Sequence, residues 1–469
     1  MKAIGKVLCI SLGVALGLTG CNMAPKYSRP KAPVPAVWPA RLPEQQAEAP
    51  APKATDVRWQ DFFGNEKLRQ VIALALENNR DLRVAALNVE RAQAQYRVQR
   101  AQLYPALNVG ASAQGNRVPA NLSTTGKDYT NKQYEFGVIT SSWEADLWGR
   151  LRNLKQQALE QYFATQEARS ATQISLVAAV AGSYLSLAAD RESLRLAKAT
   201  LKSQQDSYEM VLRKREMGIA SDLDLRQAES QVRAAQVDIA RYTGQVALDE
   251  NALNLLVGAP VPANLLAENL GQDEMLKDVS AGLPSDVLLR RPDVLSAEHR
   301  LKGANANIGA ARAAFFPQMT MTAAGGLLSS SLGDLFKGSA GTWNFAPQII
   351  QPIFDAGARR ANLKISQVDR DTAVATYEAT IQTAFREVSD SLALREWLKQ
   401  QQDAQQALVN TLDATYRLSE ARYQAGIDSY LSVLVAQRSL YSGQQALVSL
   451  RLARLGNLVT LYKVLGGGV

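Results

Sequence analysis

The sequence contains few of the side chains on which catalysis and metal binding usually depend. Among 469 residues there are two cysteines and a single histidine, His299, so no cysteine–histidine set is available to hold a metal ion. A phosphate-binding loop of the form G-x-x-x-x-G-K-S/T is also missing from the sequence. We therefore expect a protein that is not an enzyme, binds no metal and needs no dissociable cofactor.

Long hydrophobic runs and clustered charge are scarce as well. After residue 20 no stretch has 18 consecutive apolar residues, so no transmembrane helix is expected. Lys and Arg exceed Asp and Glu by 52 − 44 = 8, and this excess is spread along the chain, which argues against a nucleic-acid partner. Aromatic residues are only 7% of the chain, a composition that favours long helices over a compact sheet.

The first 21 residues have the layout of an export signal. Two lysines precede an apolar stretch at residues 7–18, which is shorter than the ~20 residues of a membrane-spanning helix. The following Leu18-Thr19-Gly20-Cys21 resembles a bacterial lipobox, whose cysteine becomes the acylated first residue. We therefore predict a signal peptide at 1–20 and a covalent lipid, diacylglycerol plus an N-acyl chain such as palmitate, on Cys21. A chance cysteine after an ordinary signal peptide is the alternative.

Two neighbouring features support this interpretation. Cys9 lies within the predicted signal peptide, so Cys21 would be the only thiol of the exported chain and would have no disulfide partner. Asn22 follows Cys21 in place of aspartate, which by resemblance to bacterial sorting rules favours the outer membrane. Residues 21–65 are rich in proline and predict an extended arm.

An internal duplication organises the rest of the chain. A shift of 208 residues places Gly218-Ile219 on Gly426-Ile427, and a shift of 212 places Arg100 on Arg312. A shift of 209 matches Phe136, Asp146, Arg150 and Asn153 with Phe345, Asp355, Arg359 and Asn362. Because the order is the same in both halves, we predict two structural repeats, residues 66–258 and 285–469, joined by a linker at 259–284.

Each repeat predicts a helix, two short strands and two long helices. In the first repeat a helical pattern runs from Leu68 to Tyr104 and stops at Pro105. Apolar and polar residues then alternate at about residues 106–115 and 133–142, and again at about 317–326 and 342–351 in the second repeat. This alternation indicates strands with one lipid-facing and one wet face, although soluble hairpins would show it too.

The helices after each strand pair are unusually long. Residues 151–217 contain no proline, and as a helix they would extend ~100 Å. After the following turn, apolar residues recur every seven positions, which predicts left-handed coiled-coil packing. In the first repeat they are Leu225, Val232, Ile239, Val246 and Leu253, and the second repeat has Val433, Leu440, Leu447, Arg454 and Leu461 in matching places.

The number of predicted strands indicates an oligomer. In a bilayer every backbone N–H and C=O group needs a partner, so strands cross it only as a closed barrel. The four strands predicted here are fewer than the about eight of the smallest ordinary membrane barrels. Two copies would supply about eight strands with a filled interior, and three copies about twelve with a lumen. A transport function would favour three copies, so we predict a mainly α fold with a small β part, closed as a 12-stranded barrel in a homotrimer.

Several motifs carry a resemblance that covers essentially the whole chain. Besides the lipobox they are Glu144–Arg150, Arg290–Asp293, Asn305–Ala311, Ala425–Leu431 and Leu461–Gly468. Together they resemble TolC-like outer-membrane efflux proteins, and among these the OprM-type lipoproteins of resistance-nodulation-division systems. The resemblance implies a trimeric α/β-barrel exit duct for drugs or other small toxic compounds. It also implies docking to a periplasmic adaptor and an inner-membrane transporter, with lipid anchorage in the outer membrane.

The resemblance further implies where the duct closes and what it contacts. The family has its gate at periplasmic helix turns, which correspond to Met217–Leu225 and Ala425–Leu434. The constriction corresponds to Leu431, Val435 and Arg438, with Tyr423 and Asp224 among the residues that stabilise it. The turns that would contact the adaptor correspond to Gly218, Ile219, Ala220, Gly426, Ile427, Asp428 and Ser429.

One departure from the family affects this gate. Relatives often carry an aspartate at the position of Val435, and TolC carries one at the position of Ser432. Threefold symmetry would turn such a residue into a ring of charges, so its absence predicts a more apolar constriction with weaker cation preference. The acids that remain nearby are Asp222, Asp224 and Asp428.

Other functions stay open at this point. A lipid-anchored coiled-coil scaffold of the envelope would explain the helices and Cys21 without a pore, although it has no need for two lipid-facing hairpins. Within the duct class, metal-ion efflux and type I protein secretion are alternatives. The lack of a Met/Cys/His cluster disfavours a duct specialised for soft metals.

Overall fold

The computed structural model of the chain describes residues 22–36, 38, 57–271 and 288–467. The predicted signal peptide at 1–20, the predicted lipid site Cys21, much of the predicted arm and residues 272–284 of the predicted linker lie outside the described residues. In the described part of the chain, helices dominate and four strands form one sheet. The mainly α fold class with four strands is confirmed.

Both repeats contain a helix, two strands and two long helices in the same order. Helix α1 (Trp59–Phe62) precedes the first repeat, which contains α2 (Glu66–Asn78), α3 (Arg80–Ala101), β1 (Asn108–Val118), β2 (Tyr129–Ala145), α4 (Arg150–Glu216) and α5 (Asp222–Val257). The second contains α6 (Pro292–Ala313), β3 (Gln318–Ser329), β4 (Gly341–Ile350), α7 (Ala358–Gln424) and α8 (Tyr430–Val464). The long helices α4 and α7 each have 67 residues, which corresponds to ~100 Å.

The helix predicted from Leu68 to Tyr104 is wrong, because the structure has two helices there, α2 and α3. Asn79 separates them with extended backbone angles, φ −62° and ψ 131°. Its side-chain oxygen accepts from Leu82 N at 2.8 Å, and its amide nitrogen donates to Leu256 O at 2.8 Å. Asn79 therefore ends one helix and caps the next, which the apolar pattern of the sequence does not reveal.

The ends of the strands differ from those predicted. β2 has 17 residues and begins four residues before the predicted residue 133 and ends three after residue 142. β1 starts at residue 108 instead of 106 and ends at 118 instead of 115, while β3 covers 318–329 and β4 covers 341–350. Polar residues at the start of β2, Tyr129–Lys132, pair with the end of β1. Hairpin pairing therefore sets these strand ends, and the apolar alternation does not.

The chain forms two compact units, which are considered separately. The sheet unit comprises the described residues within 1–31, 88–166 and 296–377. The helical unit comprises those within 32–87, 167–295 and 378–469. In the helical unit Tyr462 stacks on Phe62 with ring centroids 4.2 Å apart, and its hydroxyl donates to Val57 O at 3.1 Å.

A buried arginine joins three helices of the helical unit. Arg291 is 7% exposed and donates to both carboxylate oxygens of Asp293, at 3.0 and 2.7 Å. It also contacts Glu387 on α7 at 2.9 Å and the Val464 carbonyl at the end of α8 at 2.7 Å. Because a buried guanidinium needs such partners, the motif Arg290–Asp293 has a structural role.

One described helix, α4, has an 18-residue window that is long and apolar enough to cross a membrane. Half of that window is buried inside the protein. Core helices of soluble proteins meet the same criterion, so composition alone does not make α4 a membrane span.

Two carboxyl groups meet between α4 and α5 in the helical unit. Burial, together with the hydrogen bond and charge of the neighbouring Asp249, raises the pKa of Asp190 to about 7. The Oδ2 atom of Asp249 is buried and accepts from no other N–H or O–H group of the described residues, so a proton on Asp190 would supply its hydrogen bond. The pair therefore favours one bound proton in the folded protein.

We predict that Asp190→Asn stabilises the protein at pH 8 and changes its stability little at pH 4. An unfolded aspartate releases its proton near pH ~4, whereas Asp190 holds it until about pH 7, so the unfolding free energy falls across this interval. Because asparagine does not titrate, the unfolding free energy of the variant does not fall in this way. Thermal unfolding at both pH values measures the effect, with the exposed Asp206→Asn on the same helix as control. An equal effect at both pH values contradicts the prediction.

Candidate functional site

The sheet presents one apolar and one polar face. Residues directly opposite in antiparallel strands share a face, and one such row runs Val109, Val138, Gly325, Trp343 across the four strands. The same face carries Ala111, Phe136, Met319, Met321, Ala323, Phe345 and Ile349. The opposite face carries Asn108, Ser112, Glu135, Thr320, Thr322, Asn344 and Gln348. This division suits a wall between lipid and water.

Close packing of two strands requires glycine at the centre of the sheet. A Cβ atom at Gly326 would lie 2.2 Å from Phe136 O, and one at Gly137 would lie 2.7 Å from Gly325 O. Any larger residue would push β2 and β3 apart. The extra residue of a bulge between Thr140 and Trp143 then changes the alternation, so that Trp143 joins the apolar face.

The two edges of the sheet are open. In the strand order β1-β2-β3-β4, β1 and β4 each have a neighbour on one side only within the described residues. Their exposed apolar side chains include Val109 at 72% and Trp343 at 80% exposure. A sheet with these properties can cross a bilayer only if its edges find further strands.

The two long helical hairpins turn in the same way. Gly218 lies two residues after the end of α4 and has a φ of +75°, and Gly426 lies two residues after the end of α7 with the same φ. In each turn the residue after the glycine donates its N–H to the carbonyl five residues earlier, the Schellman pattern: Ile219 to Lys214 O at 2.8 Å, and Ile427 to Arg422 O at 2.9 Å. The glycines are required because φ is positive there.

A small apolar core, the tip core, holds the two turns together. It consists of the buried residues Val211, Ala228, Tyr430, Val433 and Leu434, with Tyr208, Ala220, Leu225, Tyr416 and Tyr423 packed against it. Of the predicted site residues, the tip core includes only Ala220 and Tyr423.

The predicted constriction residues lie together on the outside of α8. Leu431 is 53% and Val435 57% exposed, and Arg438, one turn further, is exposed too. Tyr423 lies elsewhere: its ring is 5.3 Å from that of Tyr430, and the Lys214 ammonium lies 3.9 Å above it. The structure therefore places the three constriction residues on one stripe and Tyr423 in the tip core.

Asp224 and Asp428 are both engaged locally. Asp224 accepts from the Ser221 N–H at 3.1 Å while Ser221 Oγ accepts from the Asp224 N–H at 3.1 Å, which forms a capping box at the start of α5. Asp428 accepts two hydrogen bonds from Arg422 at 2.6 and 3.0 Å, and that guanidinium lowers the pKa of Asp428.

The predicted adaptor-contacting turns carry exposed apolar side chains. Ile219 is 70% and Ile427 63% exposed, and each projects beside its positive-φ glycine. Ser429 is the N-cap of α8, but unlike Ser221 it makes no side-chain capping hydrogen bond. The two turns thus share a backbone and differ in their caps.

A polar ladder that the sequence analysis missed joins the second hairpin to the first. Its three rungs on α8 are spaced four residues apart: Gln437 donates to Ser203 Oγ at 3.1 Å, Tyr441 to Asp238 at 3.0 Å, and Gln445 to Tyr242 at 3.1 Å. Burial and Asp238 raise the pKa of Tyr441. The i, i+4, i+8 spacing of polar residues on α8 is the signal that could have revealed the ladder.

The only histidine has a packing role. Nδ1 of His299 lies 2.7 Å from Glu160 Oε2, and its ring packs 5.3 Å from that of Phe163. No group of three potential metal-binding side chains occurs among the residues that the structure describes.

We predict that Ser221→Ala destabilises the first turn of α5 and that Ser429→Ala leaves the stability of the first turn of α8 unchanged. Loss of an N-cap hydrogen bond costs ~1 kcal/mol, so amide exchange in the first turn of α5 should become about fivefold faster. Ser429 has no such bond to lose. Hydrogen exchange of the two variants measures the difference. Equal effects at the two positions would show that the capping box does not stabilise this tip.

Comparison with known proteins agrees with this geometry. The family described as outer membrane efflux protein matches residues 71–259 and 283–467. The toluene efflux pump outer membrane protein TtgC of Pseudomonas putida is 49% identical over 464 residues, which cover 98% of this chain and 95% of that protein. The outer membrane protein OprJ of Pseudomonas aeruginosa is 40% identical over 459 residues, covering 98% of this chain and 95% of OprJ.

Two solved structures have the same fold. A membrane protein from Pseudomonas aeruginosa superposes with a TM-score of 0.90 at 40% identity, covering 96% of this chain and 98% of that one. The open state of the Neisseria gonorrhoeae MtrE outer membrane channel gives 0.87 at 36% identity, with coverage of 96% and 98%. The resemblance predicted from the motifs is confirmed, and the chain belongs to the outer membrane efflux protein family.

Proposed function

We propose that the chain forms the outer-membrane exit duct of a tripartite pump and passively conducts small toxic compounds from the periplasm to the exterior. The observation that carries this proposal is the sheet, whose apolar face and two open edges suit a shared membrane wall. Relatives at 47–49% identity are named as toluene, solvent and antibiotic efflux proteins. Hydrophobic solvents and drugs are therefore the proposed cargo.

The assembly proposed is a homotrimer. Three sheets of four strands supply 3 × 4 = 12 strands, and each β1 edge would pair with a β4 edge of the next copy. The two strands are matched in length, with 11 residues in β1 and 10 in β4. Closure of this kind satisfies the backbone groups that a single copy leaves open.

Lipid anchorage and partners complete the proposal. Diacylglycerol and an N-acyl chain on Cys21 would fix each copy to the outer membrane. The exposed Ile219 and Ile427 of the two turns would meet the helical hairpins of a periplasmic adaptor, which links the duct to an inner-membrane resistance-nodulation-division transporter. Energy would come from that transporter, since the duct itself is proposed to be passive.

The proposed gate is apolar at its narrowest point. Three copies of Leu431 and Val435 would surround the axis, with Arg438 behind them. The nearby acids add little charge, because Asp222 pairs with Arg215 at 2.9 Å and Asp428 pairs with Arg422. Tyr423 and Asp224 would stabilise the closed tips through the tip core and the capping box.

We predict that the purified full-length protein migrates as a heat-modifiable trimer and conducts ions in planar bilayers. Closure of the open sheet edges by neighbouring copies is the physical reason. We would compare gel migration before and after boiling and then measure the conductance of the unboiled species. A trimer that does not conduct would favour the envelope scaffold, and an isolated, soluble, folded protomer would contradict the duct.

We predict that Val435→Asp increases the preference of the channel for cations over anions. In a trimer the substitution places three carboxylates around the narrowest part of the lumen, where the field is concentrated. The reversal potential across a salt gradient measures the effect, and Val237→Asp, at an exposed site on α5, is the control. A parent channel whose strong cation selectivity survives neutralisation of Asp222, Asp224 and Asp428 would disprove the apolar constriction.

A further inference from the structure

The segment that follows the predicted lipid site is bound along α6 in the sheet unit. Arg312 Nη1 donates to Met23 O at 3.3 Å, and Asn305 Nδ2 donates to Pro25 O at 2.8 Å. Further along, Tyr27 and Arg29 both reach Glu298. We call residues 22–29 the strap; it runs antiparallel to α6 and contacts it over more than three helical turns.

One end of the strap is fixed by a buried carboxylate. The Glu298 side chain is 3% exposed and accepts from Arg29 Nε at 3.1 Å, from Arg29 Nη2 at 2.7 Å and from the Tyr27 hydroxyl at 3.1 Å. Lys302, at 3.1 Å, is its partner on the same helix. Burial opposes ionisation of Glu298, but hydrogen bonds from Arg29 and Lys302 hold its pKa below the ordinary value. A buried carboxylate without the strap would lose two of these three partners.

The other end of the strap passes over a glycine. A Cβ atom at Gly309 would lie 2.7 Å from Ala24 N and 2.6 Å from Asn153 Nδ2. Asn153 is itself 3% exposed and donates to Gly149 O at 2.7 Å. The strap, α6 and the first turn of α4 therefore meet at Gly309, and any side chain there would separate them.

The duplicated helix in the first repeat lacks these features. The shift of 212 residues that matches Arg312 with Arg100 places Ala86, Gln93 and Arg97 at the positions of Glu298, Asn305 and Gly309. The buried carboxylate and the glycine gap are thus specific to α6. Since the two repeats otherwise keep the same elements, this difference indicates that α6 is adapted to hold the strap.

The strap ends close to the base of the sheet. Arg312, which holds Met23, lies six residues before the start of β3. Phe316 and Pro317 lie in the segment between Arg312 and β3. Trp148 packs against this segment: it donates to Pro317 O at 2.9 Å and stacks on Phe316 with ring centroids 4.8 Å apart. Cys21 precedes Met23 by two residues, a reach of at most ~7 Å along the chain.

We propose that the face of α6 formed by Glu298, Asn305, Gly309 and Arg312 is a binding site for the chain's own strap, and that this site moors the lipid anchor at the base of the sheet. The role of the site rests on the proposed lipidation of Cys21. When the strap is docked, the lipid anchor holds the strands of each copy at a fixed distance from the membrane. When the strap is undocked, the distance between the sheet and the bilayer surface would vary. Docking thereby couples anchoring to insertion of the strands.

The docking is tested with a nitroxide label on Ser28→Cys in the full-length protein. Ser28 is exposed and lies between the two residues that bind Glu298. The label is expected to be immobilised in the parent and mobile when Tyr27 and Arg29 are both replaced by alanine. Loss of charge-assisted hydrogen bonds should lower the ratio of docked to undocked strap about tenfold or more. Gly309→Val is expected to act in the same way, and Arg97→Val at the duplicated position is the control without effect.

The strap variant with both alanines leaves the helices untouched, so it remains informative if Gly309→Val fails to fold. A mobile label in the parent, or an immobile label in both docking variants, would overturn the docking site. Its role is tested by the rate at which heat-stable trimers appear in the outer membrane of pulse-labelled cells. We expect slower assembly of the docking variants, and an unchanged rate despite a mobile strap would overturn the mooring.

Failure of the proposed lipidation gives a different result. The parent without Ser28→Cys should take up no label, because acylation blocks the Cys21 thiol. Labelling of that parent would show that Cys21 is free, which refutes the lipid anchor and with it the mooring, while the docking measurement still stands. An unlabelled, conducting parent whose docking variants assemble normally would refute the mooring alone.

Discussion

Unpaired backbone groups at the two edges of a four-stranded sheet are the constraint on which this protein depends. The sheet has an apolar face in which Trp343 is 80% exposed, yet its edge strands lack partners within the described chain. Lipid cannot satisfy N–H and C=O groups, so one copy cannot cross a bilayer alone. The proposed trimer, the shared lumen and the transport function all follow from this shortage of strands.

The duplication supplies a common frame that each repeat has modified. The two 67-residue helices end in turns with identical φ values at Gly218 and Gly426, so the backbone of the hairpins is repeated closely. The side chains differ where the two halves have separate tasks. Only the first turn has a capping box, at Ser221, and only the second repeat has the carboxylate and glycine that hold the strap. The two repeats thus share a backbone plan and have different surfaces.

Much of the fold could be predicted from periodicity, because repeating patterns act through near neighbours. The alternation around Val109 and Phe136 predicted the strands, and the absence of proline from residues 151–217 predicted the long helix α4. The rest depends on contacts between residues far apart in sequence. Arg29 and Glu298 are separated by 269 residues, and nothing local marks Glu298 as their meeting point. The break between α2 and α3 at Asn79 was not predicted either. An asparagine inside a helical pattern becomes a cap only when tertiary contacts hold it, and here the contact is with Leu256.

The contrast between the tip core and the polar ladder bears on how a closed tip could open. The tip core is mostly apolar, with the buried hydroxyl of Tyr430 as an exception, and it resists separation because its apolar surfaces would meet water. The ladder beside it is held by directional hydrogen bonds. Two buried oxygens, Oε1 of the ladder residue Gln437 and Oε1 of Gln204 next to Ser203 in the sequence, have no hydrogen-bond partner in the described part of the chain. Exposure to water would satisfy those oxygens and so offset part of the cost of parting the helices. If the proposed gate opens, the hairpins would separate most easily along the ladder, and the loss of apolar contact would be concentrated in the tip core.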